Sequence, residues 1–333
     1  MKLSYYLLLS KYIPLPLSAL KIVEKNKDHP IRSLEKLSPN EIEHQLVLLN
    51  KTPSISIKNI KEKGLKIQNL IQNKFIEKID GNINRWNESG IEIVRYFDKL
   101  YPKKLKGIKD APKIITYIGD FSLCNEKSIS IIGTRNPTDF GIEMARKVGK
   151  RFNELNFVII NGFAKGVDTY AIKGALEGGG KIIGVLGSGL MHIYPKENEE
   201  LFLNIVKSGK GVFISEYLPD ETIRKSTLAA RNRISSALSL GNVIIEAGKN
   251  SGTRWQLKYG KEQGKPIIVL KPKGNYEQAH LPNEIIKNEK ECFIIKNIND
   301  VNNIASSILK IEKKDLENNK TEINRKQKII TDF

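Results

Sequence analysis

The chain has 333 residues, long enough for one large domain with a proper core and a smaller one beside it. Its 55 Lys and Arg against 37 Asp and Glu give a formal charge of +18. That excess suits a polyanionic partner, although solvated lysines in a composition rich in Lys, Asn and Ile would produce it too. Cys124 and Cys292 are far apart and His29, His44, His192 and His280 equally scattered, which excludes a disulfide framework and metal-ligand spacing and suits a reducing compartment.

The opening apolar patch Tyr5 to Leu9 is broken by Lys11, Pro14 and Pro16 and is followed by no small-residue cleavage site, so it reads as a buried helix. No stretch reaches transmembrane length, and a soluble, cytoplasmic protein without a membrane partner is expected. Residues 1–85 read as a small all-α domain. Leu34, Leu37, Ile42, Leu46 and Leu49 keep helical spacing with Ser38-Pro39 as a cap, and a second periodic run covers Lys58 to Ile83.

From Ile91 the period changes. Short β-type runs at Ser130–Ile132, Phe157–Ile160, Lys181–Leu186, Gly211–Ser215, Asn242–Ile245 and Pro266–Leu270 alternate with helical stretches, and Phe293–Ile295 adds a last one. The first of these helices shows Ile142, Ala145, Val148, Phe152 and Leu155 on one face. Such alternation predicts an α/β, Rossmann-like domain over 86–311, its mostly parallel sheet covered by helices on both faces. Residues 312–333 are Lys-, Asn- and Glu-rich and read as a frayed helix or a flexible, charged tail.

In an open α/β sheet ligands bind beyond the carboxyl ends of the strands. Glycines and cations gather there in Gly133-Thr134-Arg135, in Gly162-Phe163-Ala164-Lys165-Gly166, in Gly187-Ser188-Gly189 and in Ser251-Gly252-Thr253. Glycine admits an anion close to the backbone, and free amides at a helix start favour negative charge. Any one such turn serves a crossover; all of them on one edge predict an anion pocket. No Gly-x-Gly-x-x-Gly follows the first strand and no Walker A sequence occurs, so neither a cofactor nor a metal is expected. Arg231-Asn232-Arg233, at the head of a helix, suits phosphate or base contacts. The competing reading is an exposed face with an arginine paired to a carboxylate, for which Glu216 is the natural partner.

These motifs resemble the DprA/Smf family of DNA-processing proteins. The resemblance rests on Tyr101-Pro102 and Asp110-Ala111-Pro112, Ile131 to Arg135, Asn161 to Asp168, Leu186 to Leu190 with Ile193-Tyr194-Pro195, Ser215-Glu216-Tyr217, Arg231 to Ile234, and Glu246-Ala247-Gly248 with Ser251-Gly252, in that order. It implies a non-catalytic, homodimeric single-stranded-DNA-binding protein that protects the strand and delivers it to the RecA recombinase in DNA recombination or transformation. It also implies Arg135, Lys165, Arg231, Asn232 and Arg233 as DNA contacts, with Gly133, Gly166 and Gly252 shaping the pocket. An aromatic such as Phe140 or Phe163 could stack on a base, against the plainer expectation that both pack in the core.

The pattern departs in places. Ile172 stands where the family has histidine, Lys271 to Ile286 reads differently from the family's Pro-Gly and Asn-Arg segment, no winged-helix-like domain is expected at the carboxyl end, and the helical domain matches loosely. Two other functions fit the same fold. One is a sensor of a nucleotide-derived ligand. The other is a nucleoside-monophosphate phosphoribohydrolase, disfavoured because Gln256 stands where that chemistry needs an ionisable glutamate.

Overall fold

The computed structural model describes residues 1–53 and 55–331, without the side chains of residues 316 and 318–331. It divides into two compact units, Met1–Tyr101 with Pro112–Ile115, and Pro102–Ala111 with Thr116–Phe333.

The first unit is helical, with α1 (Leu3–Leu7), α2 (Leu17–Lys25), α3 (Pro39–Asn50), α4 (Ile60–Gln72) and α5 (Phe75–Glu88), followed by the strand β1 (Glu92–Arg95). The helical run therefore passes residue 85, and the compact unit continues to Tyr101. Ser38 caps α3 as its sequence predicts: its backbone amide donates to the Glu41 carboxylate at 2.7 Å, and its hydroxyl accepts from the Glu41 amide at 3.4 Å. Behind that cap Ile42, Leu46 and Leu49 are buried. The opening patch is interior as well, with Tyr6 to Leu9 fully buried, and each of those leucines contributes about 2 kcal/mol over exposure to water. Arg95 ties down the chain start, donating to Glu24 and to the Met1 carbonyl oxygen.

The second unit holds the α/β sheet. Its elements are α6 (Lys103–Lys106), β2 (Ile114–Gly119), whose first two residues belong to the first unit, β3 (Ser128–Ile132), α7 (Asp139–Glu154), β4 (Val158–Asn161), α8 (Val167–Glu177), β5 (Ile182–Leu186), α9 (Glu199–Lys207) and β6 (Gly211–Ser215). There follow α10 (Lys225–Ala230), α11 (Asn232–Leu238), β7 (Asn242–Ile244), α12 (Thr253–Glu262), β8 (Ile267–Leu270), α13 (His280–Asn288), β9 (Phe293–Ile295) and α14 (Asp300–Thr331). The charged tail read at 312–333 thus falls on α14 as far as Thr331, and its last two residues lie outside the described ones.

From β2 onward the strand order of the nine-stranded sheet is β2-β6-β5-β4-β3-β7-β8-β9. All neighbours in this order are parallel except β2 and β6, which pair antiparallel through Thr116 and Ser215. The central strands β3 to β7 are buried along their whole length, as a parallel sheet covered on both faces requires. On α7 the buried face is Gly141, Met144, Ala145, Val148, Gly149 and Phe152. Ile142 and Leu155, expected on that face, are only half-buried, because the stripe is rotated toward the small residues that face α8.

After β3 the chain winds out through β4, β5 and β6, then returns to lay β7 on the other side of β3. The loops leaving β3 and β7 therefore diverge, and a crevice opens at their carboxyl ends, as at the switch point of any doubly wound sheet.

Candidate functional site

A cavity of about 1190 Å³ fills that crevice. One wall comes from the turn after β3 (Gly133, Thr134, Arg135, Asn136), from Ala164 and Asp168 at the head of α8, and from Lys225, Arg231 and Asn232. The other comes from Gly248 to Thr253 after β7, from Trp255 and Gln256 on α12, and from the segment around α13 that carries Tyr276, His280, Glu284 and Lys287. Charged side chains on the lining are Arg135, Lys225, Arg231, Lys249 and Lys287 against Asp168, Glu277 and Glu284. Among the described residues no three His, Cys, Asp or Glu side chains stand where they could hold a metal ion, and no helix is long and apolar enough to cross a membrane.

The wall on the β3 side is built by buried polar groups. Asp168 accepts from the Gly162 amide at 3.0 Å and the Ala164 amide at 3.3 Å, while the Asn161 side chain donates to the Asp168 carbonyl oxygen and accepts from the Phe163 amide. Burial pushes the Asp168 carboxyl up to about 6, with the Arg231 charge and those amides pulling the other way. Arg231 sits in the break between α10 and α11 with only 6% of its surface exposed. Its Nη1 donates to the Val185 carbonyl oxygen at 2.5 Å; among the described residues its Nε has no partner and no carboxylate stands at ion-pair distance. Burial lowers its pKa to about 10, against the favourable field of Asp168.

Two glycines have definite tasks here. Gly162 does not line the cavity; the Arg231 guanidinium lies on its bare α-carbon, and any Cβ would overlap it. Gly166 holds φ +77 beneath the carbonyl oxygens of Thr134 and Arg135, where a side chain has no room, and so shapes the turn that presents Arg135. The turn Gly187–Gly189 is spent elsewhere: Gly189 packs against the carbonyls of Leu218 and Pro219 and donates to the Glu221 carbonyl oxygen at 2.7 Å.

The remaining predicted contacts separate. Arg135 and Asn232 line the cavity, as do Gly133, Thr134, Ser251, Gly252 and Thr253. Lys165 lies outside the lining, exposed and paired with Glu197. Arg233 is also outside it, with both terminal nitrogens on the Glu216 carboxylate at 2.5 and 2.6 Å and its Nε on the Asp110 carbonyl oxygen. Phe163 is fully buried at φ +57 with its ring edge-on to Phe213, and Phe140 is half-buried beneath Lys273. Neither faces the cavity.

Lys225, Lys249, Lys287 and Trp255 also line the cavity and belong to none of the motifs that carry the family resemblance. Lys249 adjoins the Ser251-Gly252 turn and could have been found from it. Lys225 and Lys287 come from distant segments and gave no signal. The other wall is clamped by Arg254, which bonds both oxygens of Glu284 at 2.9 and 2.5 Å. Gln256 is spent on structure, its amide donating to Ser130 at 3.0 Å and Asn242 at 2.9 Å. That leaves this position without a group able to move a proton.

A mostly parallel doubly wound sheet with a crevice at its switch point, lined by more Lys and Arg than Asp and Glu, defines a Rossmann-like protein. Residues 92–307 match the family described as DNA recombination-mediator protein A. The DNA processing protein DprA of Bacillus subtilis is 31% identical over 209 residues, covering 62% of this chain and 69% of that protein. The crystal structure of DprA from Streptococcus pneumoniae aligns with a TM-score of 0.72 at 25% identity, over 90% of this chain and 96% of that one. DNA processing protein A from Helicobacter pylori, whose structure is described for its single-stranded DNA binding mode, aligns with a TM-score of 0.58 at 28% identity, over 65% of this chain and 96% of that one. The chain belongs to the DprA/Smf family.

Proposed function

We propose that this protein binds single-stranded DNA in the cavity between β3 and β7, without turnover. The observation that carries the reading is Arg231, a buried arginine on the cavity lining with an unpartnered Nε and, among the described residues, no carboxylate at ion-pair distance. Burying a cation so poorly satisfied is costly, and a phosphate would supply the missing acceptor and charge. The exposed Arg135, Lys225, Lys249 and Lys287 extend the positive lining toward the mouth, which suits a chain of phosphates better than a single one. The relative from Helicobacter pylori, described as binding single-stranded DNA, supports the same ligand class. In this reading the strand is protected while bound, the Rossmann-like unit pairs with a second copy, and the bound strand is passed to a RecA-type recombinase in the cytoplasm; co-sedimentation with recombinase filaments tests the last step.

The binding test is a fluorescence-anisotropy titration with a labelled mid-length oligo(dT) at several salt concentrations. Affinity falls steeply as salt rises, and Arg135→Ala weakens it about tenfold while reducing the salt slope by about one. Absence of binding at low salt sinks the reading.

A further inference from the structure

Resting on that reading, we infer that Trp255 is a stacking platform for a nucleobase at the mouth of the cavity, so that the strand is held by a base as well as by phosphates. Trp255 lines the cavity yet keeps 46% of its surface exposed, an unusual state for the largest apolar side chain. It stands in the first turn of α12, beside Gln256 and Leu257, which are buried. That side of the helix is anchored to the sheet by the bonds from Gln256 to Ser130 and Asn242, so the indole is held out in the crevice.

The surroundings select a base over a purely apolar occupant. The Tyr259 ring lies one helical turn on, near-parallel at 30° and 6.4 Å between centroids, so two aromatic rings follow one another along the helix. The Lys258 ammonium rests 5.5 Å from the Trp255 ring centroid, and Lys249 lines the cavity close by in sequence. Aromatic rings interleaved with cations are what a single strand needs, one for its bases and the other for its backbone. Lys258 does not close the site. It is exposed and only 3.9 Å from Glu262, and an exposed cation–π contact is weaker than a base stack, so a base displaces the ammonium and frees it for a phosphate. Of the other rings on the lining, His280 offers a smaller face and Tyr276 is half-buried. The Tyr276 hydroxyl is committed to Glu246, and Phe140 and Phe163 lie outside the cavity.

Tryptophan fluorescence tests the inference directly, because the other tryptophan, Trp86, is 1% exposed and belongs to the helical unit. Titrating oligo(dT) is expected to quench the emission in step with anisotropy, in the wild type and in Trp86→Phe alike. Trp255→Ala should bind oligo(dT) about tenfold more weakly with unchanged circular dichroism, and Trp255→Phe should recover most of that loss. An abasic strand of equal length should bind wild type and Trp255→Ala equally. Binding seen by anisotropy without quenching, or Trp255→Ala binding as the wild type does, overturns the platform and leaves the DNA reading standing. No anisotropy change in the wild type at low salt removes the DNA reading, and the platform with it.

Discussion

Arg231 and Arg233 are two residues apart at the junction of α10 and α11, and they are held in opposite ways. The Glu216 carboxylate accepts from both terminal nitrogens of Arg233, and the carbonyl oxygens of Asp110 and Ala230 accept further hydrogen bonds from it. Burial works against its charge, but the bonds and field of Glu216 more than offset this and hold its pKa above the ordinary value. Arg231 belongs to the cavity lining and is more deeply buried and worse satisfied. One arginine stabilises the protein, with four of its five N–H donors already bonded. The other is a cost to the folded state that a ligand can relieve, as expected of a side chain kept for binding.

Exchanging the two for methionine gives the sharpest separation. Arg231→Met is expected to lower oligo(dT) affinity on the order of 100-fold while leaving the melting temperature unchanged or higher, since an under-satisfied buried charge is replaced by an apolar chain of similar volume. Arg233→Met is expected to do the reverse, costing about 2 kcal/mol by removing the bidentate ion pair to the half-buried Glu216 while affinity barely moves. Thermal denaturation and anisotropy on both proteins check this. A destabilised Arg231→Met, or a Arg233→Met that loses binding, breaks the distinction.

Asp168 moderates the same cavity through pH. Its folded pKa of about 6 lies above the ordinary 3.8, so its contribution to stability is fully present below the ordinary value and is lost as pH rises through about 6. The groups facing it are Arg231 and Arg135 by charge and the Gly162 and Ala164 amides by hydrogen bonds. Protonation removes a negative charge from the lining, so an anion binds more tightly on the acid side. Affinity for oligo(dT) should rise about fivefold between about pH 7 and pH 5, and Asp168→Asn should flatten that rise. His280 also lines the cavity, so both titrations are run in His280→Gln as well.

The frame of this site was legible before any coordinates. Apolar runs alternating with helical periods predicted the parallel sheet, and of the glycines after the strands Gly133 and Gly252 fall on the cavity lining while Gly162, Gly166, Gly187 and Gly189 do not. The DprA/Smf motifs placed Arg135 and the Ser251–Thr253 turn where the cavity is found. The rest depended on where the chain closes on itself. No local pattern distinguishes Arg231 from Arg233, because the helix breaks at Arg231 and the periodicity is lost; only Glu216, nameable as a partner, hinted at their different surroundings. The Gly187–Gly189 turn looks like its neighbours in sequence but meets the Leu218–Glu221 segment in space. The wall around α13 comes from the stretch that departs most from the family pattern, so neither motif nor period pointed to it.

Lys165 offers the smallest and most discriminating effect. It belongs to the Asn161–Asp168 motif, yet its ammonium is taken by Glu197, with side chains 50% and 62% exposed. The Lys165–Glu197 hydrogen bond lowers the Glu197 pKa, so the carboxylate stays charged at neutral pH and competes with phosphate for the lysine. An ion pair this exposed is weak, and an arriving strand can break it. Glu197→Gln should therefore raise oligo(dT) affinity about twofold, an effect that shrinks in high salt. The gain should vanish in Lys165→Ala, so the double variant binds as the single lysine variant does. If Glu197→Gln strengthens binding equally with and without the lysine, Glu197 acts only as one more negative charge near the path of the strand. Lys165 then has no contact of its own with DNA.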